Sequence, residues 1–166
     1  MNRDQPGDRL VHHDKTALRD ELLARLSQEL DVLERAHRAV MEAATHEEAK
    51  PENDKDTRAL EQSYLARGQA LRVEALREAV ALCRGLSVAA ASRGVLGAVV
   101  RIDDEGVART LYLAPHGGGA MLAEGAVQVV TPSSPLGRAL IGREAGDVCE
   151  AQVSGRMREI EVLEVA

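Results

Sequence analysis

The segment THEEAKPENDKDTR, residues 45–58, decides the fold because it is the polar interruption between two long helix-forming stretches. It is rich in acidic residues and contains Pro51, which the interior of a continuous helix would not tolerate. Each flanking stretch has about 30 residues, which as a helix would be about 45 Å long. Two helices joined by such a short connector fold back on each other as an antiparallel hairpin. The sequence therefore predicts a long arm that carries carboxylates at its tip.

The stretch before the connector has the apolar spacing of a helix that packs along one face. The middle of its seam is formed by Leu23, Leu26, Leu30 and Leu33. Asp14 or Thr16 is placed to cap the beginning of this helix. His37 occupies a later seam position, where we interpret it as a packing residue and not as a ligand.

The stretch after the connector predicts a second helix from about Asp54 to Leu86. Its clearest seam is Val73, Leu76, Val80 and Cys83, extended toward the tip by Gln69, Ala66, Gln62 and Ala59. Because the four positions nearer the tip are small or polar, packing should be looser there. A flanking apolar stripe comprises Leu60, Tyr64, Leu65 and Leu71. Gly68 costs a helix about 1 kcal/mol relative to Ala, so we expect a close helix approach or a bend there.

The composition changes after Gly85, where short strand-like runs replace the helical periodicity. The runs predict strands at residues 95–102, 107–114, 126–130, 148–153 and 158–165, turns at 103–106 and 154–157, and a helix at 134–142. The predicted fold class is α+β. Its parts are a disordered lead-in at 1–13, a coiled-coil hairpin at 14–86 with the acidic tip at 45–58, a linker at 87–94 and a β domain with a short helix at 95–166.

Composition excludes several functional classes. The net charge is -6, which argues against non-specific nucleic-acid binding, because phosphate contacts need a basic face. The two cysteines, Cys83 and Cys149, form no CxxC pair and are interpreted as buried free thiols of a reducing compartment. No apolar run approaches the length of a membrane span, so we expect a soluble cytoplasmic protein.

The other candidate sites have simpler interpretations. The glycines of HGGG, residues 116–119, lack the Gly-Lys-Ser/Thr of a phosphate-binding loop and are interpreted as a flexible turn. The acids at 103–105 are interpreted as a hairpin turn and not as a Ca²⁺ loop. The five histidines have no zinc spacing. Ser134 is interpreted as a helix N-cap followed by Pro135 at the first helical position.

Two parts of the chain resemble the Gre transcript-cleavage factors of bacterial RNA polymerase. The block at 130–166 contains Ser-Pro, four intervening residues, Leu-x-Gly and then Gly-Asp, which here are Ser134, Pro135, Leu140, Gly142, Gly146 and Asp147. The tip resembles the acidic loop of this family, in which an acid is followed by Lys-Glu-Asn. Together these parts extend the resemblance over about residues 15–166.

The resemblance implies a fold and a mechanism. The C-terminal domain would be FKBP-like and would dock at the mouth of the polymerase secondary channel, while the hairpin enters the channel. The tip carboxylates would help to hold a second Mg²⁺ in the polymerase active site, and the polymerase would then hydrolyse its own backtracked transcript. The chain would have no tightly bound cofactor, would not be an enzyme by itself, and would meet nascent RNA and DNA only within the elongation complex.

Carried over residue by residue, Glu48 corresponds to the first tip acid and Glu52 to the second, and both would contact the shared Mg²⁺. Lys50 and Asn53 lie beside them as partner-binding residues, and Ser134, Pro135 and Gly142 would contribute to polymerase docking. The family usually has Asp first and spaces its acids by three. Here the spacing is four, with Pro51 between the two acids.

Alternatives remain open at this point. A channel-binding regulator or inhibitor that does not stimulate cleavage would have the same hairpin. A prolyl isomerase would need an aromatic-lined pocket, which a chain with no Phe or Trp can hardly build. A coiled-coil adaptor unrelated to transcription is a further alternative. Four arginines, at 101, 109, 156 and 158, would form a basic strip facing RNA or the polymerase, or would be solvated strand residues.

Overall fold

The structure, a computed structural model, describes residues 13–48 and 55–166. Two long helices come first, α1 (Lys15–Glu48) and α2 (Lys55–Arg84). Asp14 caps α1, because its Oδ1 accepts a hydrogen bond from the backbone N–H of Thr16 at 2.9 Å. Of the predicted lead-in, only His13 is among the described residues. The connector at 49–54, which contains the predicted caps of α2, lies outside them.

The chain divides into two compact units, Leu23–Ala81 and a second unit formed by Met1–Leu22 with Leu82–Ala166. In the first unit α1 packs on α2 with Leu26, Val73 and Val80 buried. An ion pair between Arg77 Nη2 and Glu34 Oε1, 2.6 Å long, joins the two helices at the edge of this seam. The seam positions nearer the tip, Gln69, Ala66 and Gln62, are only half-buried, which confirms the prediction of looser packing there.

Gly68 does not have the role predicted from the sequence. A Cβ atom added at this position would meet no atom within 4 Å, so the glycine does not mark a close approach of the two helices. Residue 68 is exposed and lies within the continuous helix α2. Nothing within the described chain compensates for the poor helix propensity of glycine at this position.

The second unit contains a six-stranded sheet with the order β3-β4-β2-β1-β6-β5. Its strands are β1 (Val99–Asp104), β2 (Val107–Leu113), β3 (Met121–Leu122), β4 (Val127–Val130), β5 (Val148–Val153) and β6 (Arg156–Val165). Strands β2 and β4 pair in parallel, and the other neighbours are antiparallel. The short helix α3 (Pro135–Leu140) follows β4. A long helical pair followed by this domain confirms the predicted α+β class.

Two predicted turns are shorter than expected. Asp103 and Asp104 belong to β1, and the turn to β2 consists of Glu105 and Gly106, with φ of 55° and 88°. The turn between β5 and β6 is likewise a pair, Ser154 and Gly155, with φ of 52° and 79°. Two-residue turns with positive φ match the twist of antiparallel strands, so the strands extend further than composition indicated.

The strands differ from the prediction at two other places. The first strand begins at Val99 and not at residue 95, because residues 96–97 form a turn. Strand β3, with two residues, was not predicted at all, since it is too short to show an alternating pattern. Within the described residues, no helix is long and apolar enough to cross a membrane.

The central strands are buried on both faces. One face packs with α3, and this core includes Val100, Ile102, Leu111, Leu113, Leu136, Leu140, Ile160 and Val162. The opposite face also buries apolar side chains, among them Val99, Tyr112, Val127 and Val129. In the same unit the ends of the long helices bury Leu18, Leu22 and Cys83, and Leu86, just after α2, is also buried. The sheet is therefore the middle layer of its unit.

Candidate functional site

The predicted acidic tip lies where α1 ends. Glu48 is the last residue of α1, and Lys55 is the first residue of α2. The predicted site residues Lys50, Glu52 and Asn53 lie outside the described residues, and nothing of the Glu48 side chain is described. Helix α1 has 34 residues, so it is about 50 Å long. The roles of these four residues stay predictions.

Helix α3 begins with the hydrogen bonding predicted for Ser134. The Ser134 hydroxyl oxygen accepts a hydrogen bond from the backbone N–H of Gly137 at 3.0 Å. It also donates to the carbonyl oxygen of Thr131 at 2.8 Å. Pro135 occupies the first helical position and is exposed. The N-cap prediction is confirmed, and this serine is committed to the backbone of its own domain.

The glycines of the segment around α3 are needed for its backbone. A Cβ at Gly137 would lie 2.0 Å from the carbonyl oxygen of Thr131, a distance that no packing adjustment tolerates. Gly142 has a φ of 80° and donates its N–H to the carbonyl oxygen of Gly94 at 2.7 Å. Asp147 Oδ2 accepts the backbone N–H of Glu144 at 3.0 Å. The residues that carry the family resemblance thus close turns and cap a helix.

Two of the four arginines predicted as a basic strip instead hold a buried carboxylate. Asp104 is 4% exposed and lies 2.9 Å from Arg109 Nη1 and 3.2 Å from Arg158 Nη1. Arg109 Nη2 also donates to Gln128 Oε1 at 2.5 Å. Both arginines are therefore structural partners of one acid, so neither of the two alternatives, a basic strip or solvated strand residues, describes them.

This cluster follows from the pleat of the sheet. Asp104 follows Val100 and Ile102 at a spacing of two, so the three side chains point to the same face. The sequence contains this signal, although the local composition predicts a turn at this acid. A carboxylate on a largely buried face needs cationic partners, and the neighbouring strands supply two.

The two cysteines are free and buried, as predicted. Burial raises the pKa of the Cys83 thiol, although a hydrogen bond with the His116 backbone acts in the opposite direction. Burial also raises the pKa of Cys149. Both thiols are therefore poor nucleophiles, since reactivity requires the thiolate.

Tyr112 is the fully buried aromatic residue of the sheet. Burial first, and then the nearby Cys83, raise the pKa of its hydroxyl to about 12. The hydroxyl has no hydrogen-bond partner in the part of the chain that is described. A buried hydroxyl without a partner lowers stability.

Two of the three glycines in the loop at 116–119 lie close to other side chains, while a Cβ at Gly119 would meet no atom within 4 Å. A Cβ at Gly117 would lie 2.6 Å from Leu22 Cδ1, and one at Gly118 would lie 3.1 Å from Thr131 Cγ2. Gly117 and Gly119 have φ of 82° and 87°, a backbone conformation that favours glycine, so the predicted turn is present and the contacts at Gly117 and Gly118 restrict it. Among residues 13–48 and 55–166, no group of three or more His, Cys, Asp or Glu side chains could hold a metal ion.

Known proteins with similar sequences decide the family. The family described as "Transcription elongation factor, GreA/GreB, C-term" matches residues 95–166. A transcription elongation factor GreA of Alkalilimnicola ehrlichii is 32% identical over 151 residues, which cover 89% of this chain and 90% of that protein. A GreA of Methylococcus capsulatus is 29% identical over 157 residues, 91% of this chain and 97% of the relative.

This chain belongs to the GreA/GreB family of transcription elongation factors. Among solved structures, GreA factor homolog 1 of Thermus thermophilus is 19% identical and covers 87% of this Gre factor and 94% of its own chain. Its TM-score is 0.38, too low to support an inference. The family assignment therefore comes from the sequence matches.

Substitution of Asp104 should destabilise this Gre factor strongly. Asp104→Ala leaves Arg109 and Arg158 without their shared carboxylate, and we expect a loss of about 3 kcal/mol in the free energy of unfolding. Urea denaturation of the full chain measures this. The matched control is Asp103→Ala, whose carboxylate accepts the Gly106 N–H in an exposed turn and should contribute about 1 kcal/mol or less. Equal losses for the two variants would contradict the role of the cluster.

Replacement of Tyr112 by Phe should change the pH dependence of stability. The pKa is about 12 in the folded state and about 10 in the unfolded state. Tyr112 is therefore harder to ionise in the folded protein than in the unfolded one. Its effect on the free energy of unfolding is constant below pH 10, and the free energy of unfolding falls as pH rises from 10 through 12.

Relative to Tyr112→Phe, the wild type should lose about 2 to 3 kcal/mol across this pH range. Unfolding curves of both proteins at several alkaline pH values measure the difference. Tyr64→Phe is the control, because Tyr64 is 66% exposed. A stability difference between wild type and Tyr112→Phe that is independent of pH would refute the prediction.

Proposed function

We propose that this Gre factor binds RNA polymerase through the secondary channel and stimulates cleavage of the transcript in backtracked complexes. The observation that carries this proposal is the extent of the match to GreA, which covers 89% of the chain and so includes both the helical pair and the C-terminal domain. The factor would act on the hydrolytic activity of the polymerase and would not be an enzyme by itself.

The length of the arm supports delivery of the tip. Helix α1 runs without interruption from Lys15 to Glu48, and this length of about 50 Å exceeds the radius of a small domain. Packing with α2 and the pair between Glu34 and Arg77 stiffen the arm. A rigid arm is required, because an error of about 1 Å at a reaction centre can cost about 100-fold in rate.

The tip carries donors suited to a divalent cation shared with the polymerase. Glu48 ends α1, and Glu52 follows it by four residues in the sequence. Carboxylate oxygens are the ligands that Mg²⁺ prefers. When bound, the ion would supply activation of a water and charge stabilisation for phosphoryl transfer. In this proposal Glu48 and Glu52 hold the ion, and Lys50 and Asn53 contact the surrounding polymerase.

The segment around α3 would be the docking surface of the C-terminal domain. Pro135 is exposed, and Arg138 is also exposed with its Nη1 donating to the carbonyl oxygen of Ser133 at 3.1 Å. Ser134 and Gly142 would contribute by holding this surface in shape, because their polar atoms are engaged within the domain. We therefore propose Pro135 as the direct contact of the three.

Cleavage in a backtracked complex tests the proposal. Polymerase from the same organism is stalled with 3′-labelled RNA, and release of short 3′ fragments is measured with wild type, Glu48→Ala and Glu52→Ala. We expect wild type to release fragments and each substitution to lower the rate about 100-fold, since each removes a group that positions the reaction. Binding of the variants to polymerase should be unchanged.

The matched control is Glu42→Ala, which removes an exposed acid from α1 away from the connector and should cleave like wild type. If wild type binds polymerase but releases nothing above polymerase alone, the cleavage proposal fails and the factor is a channel-binding regulator. If wild type does not bind polymerase, the channel proposal fails as well.

A further inference from the structure

Helix α2 carries apolar side chains on the face opposite to its seam. Leu60, Tyr64 and Leu71 are 56%, 66% and 65% exposed. Their spacings of four and seven residues place them on one side of the helix. The seam residue Val73 is buried on the other side. We call Leu60, Tyr64, Gly68 and Leu71 the outer face of α2.

Gly68 lies within this face, between Tyr64 and Leu71. A Cβ at Gly68 would meet no atom within 4 Å, so packing within the chain does not require a glycine there. Glycine is among the poorest helix formers. A missing side chain in the middle of an exposed apolar stripe leaves room for the backbone of another helix to approach.

The charged residues beside this face would pair with those of a second copy if a two-fold axis passed through Leu71. Arg67 precedes Leu71 by four residues, and Glu74 follows it by three. In an antiparallel pair of α2 helices with a two-fold axis at Leu71, Arg67 of each copy lies near Glu74 of the other. Glu74 contacts Arg77 within its own helix but is 68% exposed, so the carboxylate is accessible to a second cation.

The same symmetry gives the tyrosine a partner. Tyr64 lies seven residues before Leu71 and Glu78 lies seven residues after it. Across the two-fold axis the hydroxyl of Tyr64 faces the exposed Glu78 carboxylate of the other copy and can donate a hydrogen bond to it. Leu71 meets its own equivalent at the axis, as a self-complementary interface requires.

We propose that two copies of this chain associate through the outer face of α2, antiparallel and with the two-fold axis at Leu71. The face has few large side chains, so the interface is small and the dissociation constant lies in the micromolar range or above. If the proposed function holds, a paired arm is too wide for a channel that accepts one hairpin, and association limits the active form at high concentration. The association itself does not depend on that function.

Sedimentation equilibrium of the full chain, from about 1 to 500 μM, tests the proposal without polymerase. The average mass should rise from 17.8 kDa toward twice that value. Leu71→Glu should weaken association at least about 10-fold, because it sets two like charges against each other at the axis. Leu65→Glu is the matched control, since Leu65 is 56% exposed but lies off this face, and it should associate like wild type.

Gly68→Ala separates an interface role from a structural one. The substitution should raise the thermal stability of the dilute monomer and weaken self-association, two effects of opposite direction. Thermal denaturation at the lowest concentration and sedimentation at the highest measure them. Stronger or unchanged association of Gly68→Ala would overturn the close approach proposed at this residue.

Disulfide trapping tests the register. Both natural cysteines are buried. Leu71 is exposed, so the thiol introduced by Leu71→Cys is accessible to oxidation where the natural thiols are not. Mild oxidation should convert this variant to a covalent dimer, while Leu65→Cys should stay largely monomeric. A wild type that is monomeric at 500 μM, or a dimer that Leu71→Glu leaves intact, would overturn the proposal.

Discussion

The burial of the central strands on both faces is the constraint on which this molecule depends. Residues 111–114 are all fully buried. One face of the sheet packs with α3, and the apolar side chains of the other face are also removed from solvent. The ends of α1 and α2 bury Leu22 and Cys83 in the same unit. The start of α1 and the end of α2 therefore belong to the same compact unit as the sheet. With no Phe or Trp in the chain, aliphatic side chains and Tyr112 supply this packing.

The residues that identify the family and the residues proposed to act on the transcript are different sets. Ser134, Gly142 and Asp147 engage backbone groups of their own domain, so their types follow from the geometry of turns and a helix start. The tip acids Glu48 and Glu52 are assigned their role by the resemblance to the family alone. A chain can keep the signature and change its tip, as the four-residue spacing of Glu48 and Glu52 illustrates. Function is therefore tested at the tip and not at the signature.

Most of the architecture could be predicted from the sequence, since long helices and capped turns have local causes. Asp14, Ser134 and the seam of α2 illustrate this. The misses involve causes that are distant in sequence. Asp104 was assigned to a turn, because its arginine partners lie on other strands. The glycine at 117 was interpreted as flexible, because Leu22 packs on it from a helix nearly 100 residues away. The role of the tip acids in transcript cleavage could be proposed only through the family resemblance.

In the proposed function, the arm brings its tip to the polymerase active site. The most direct measurement uses a tethered iron chelate on Lys50→Cys, which labels selectively because Cys83 and Cys149 are buried. With the labelled factor bound to a backtracked complex, hydroxyl radicals should cut the RNA close to its 3′ end and the polymerase beside its catalytic centre. A chelate at Glu150→Cys, on the C-terminal domain, should produce neither cut. Cuts confined to the polymerase exterior, with the factor demonstrably bound, would contradict the account.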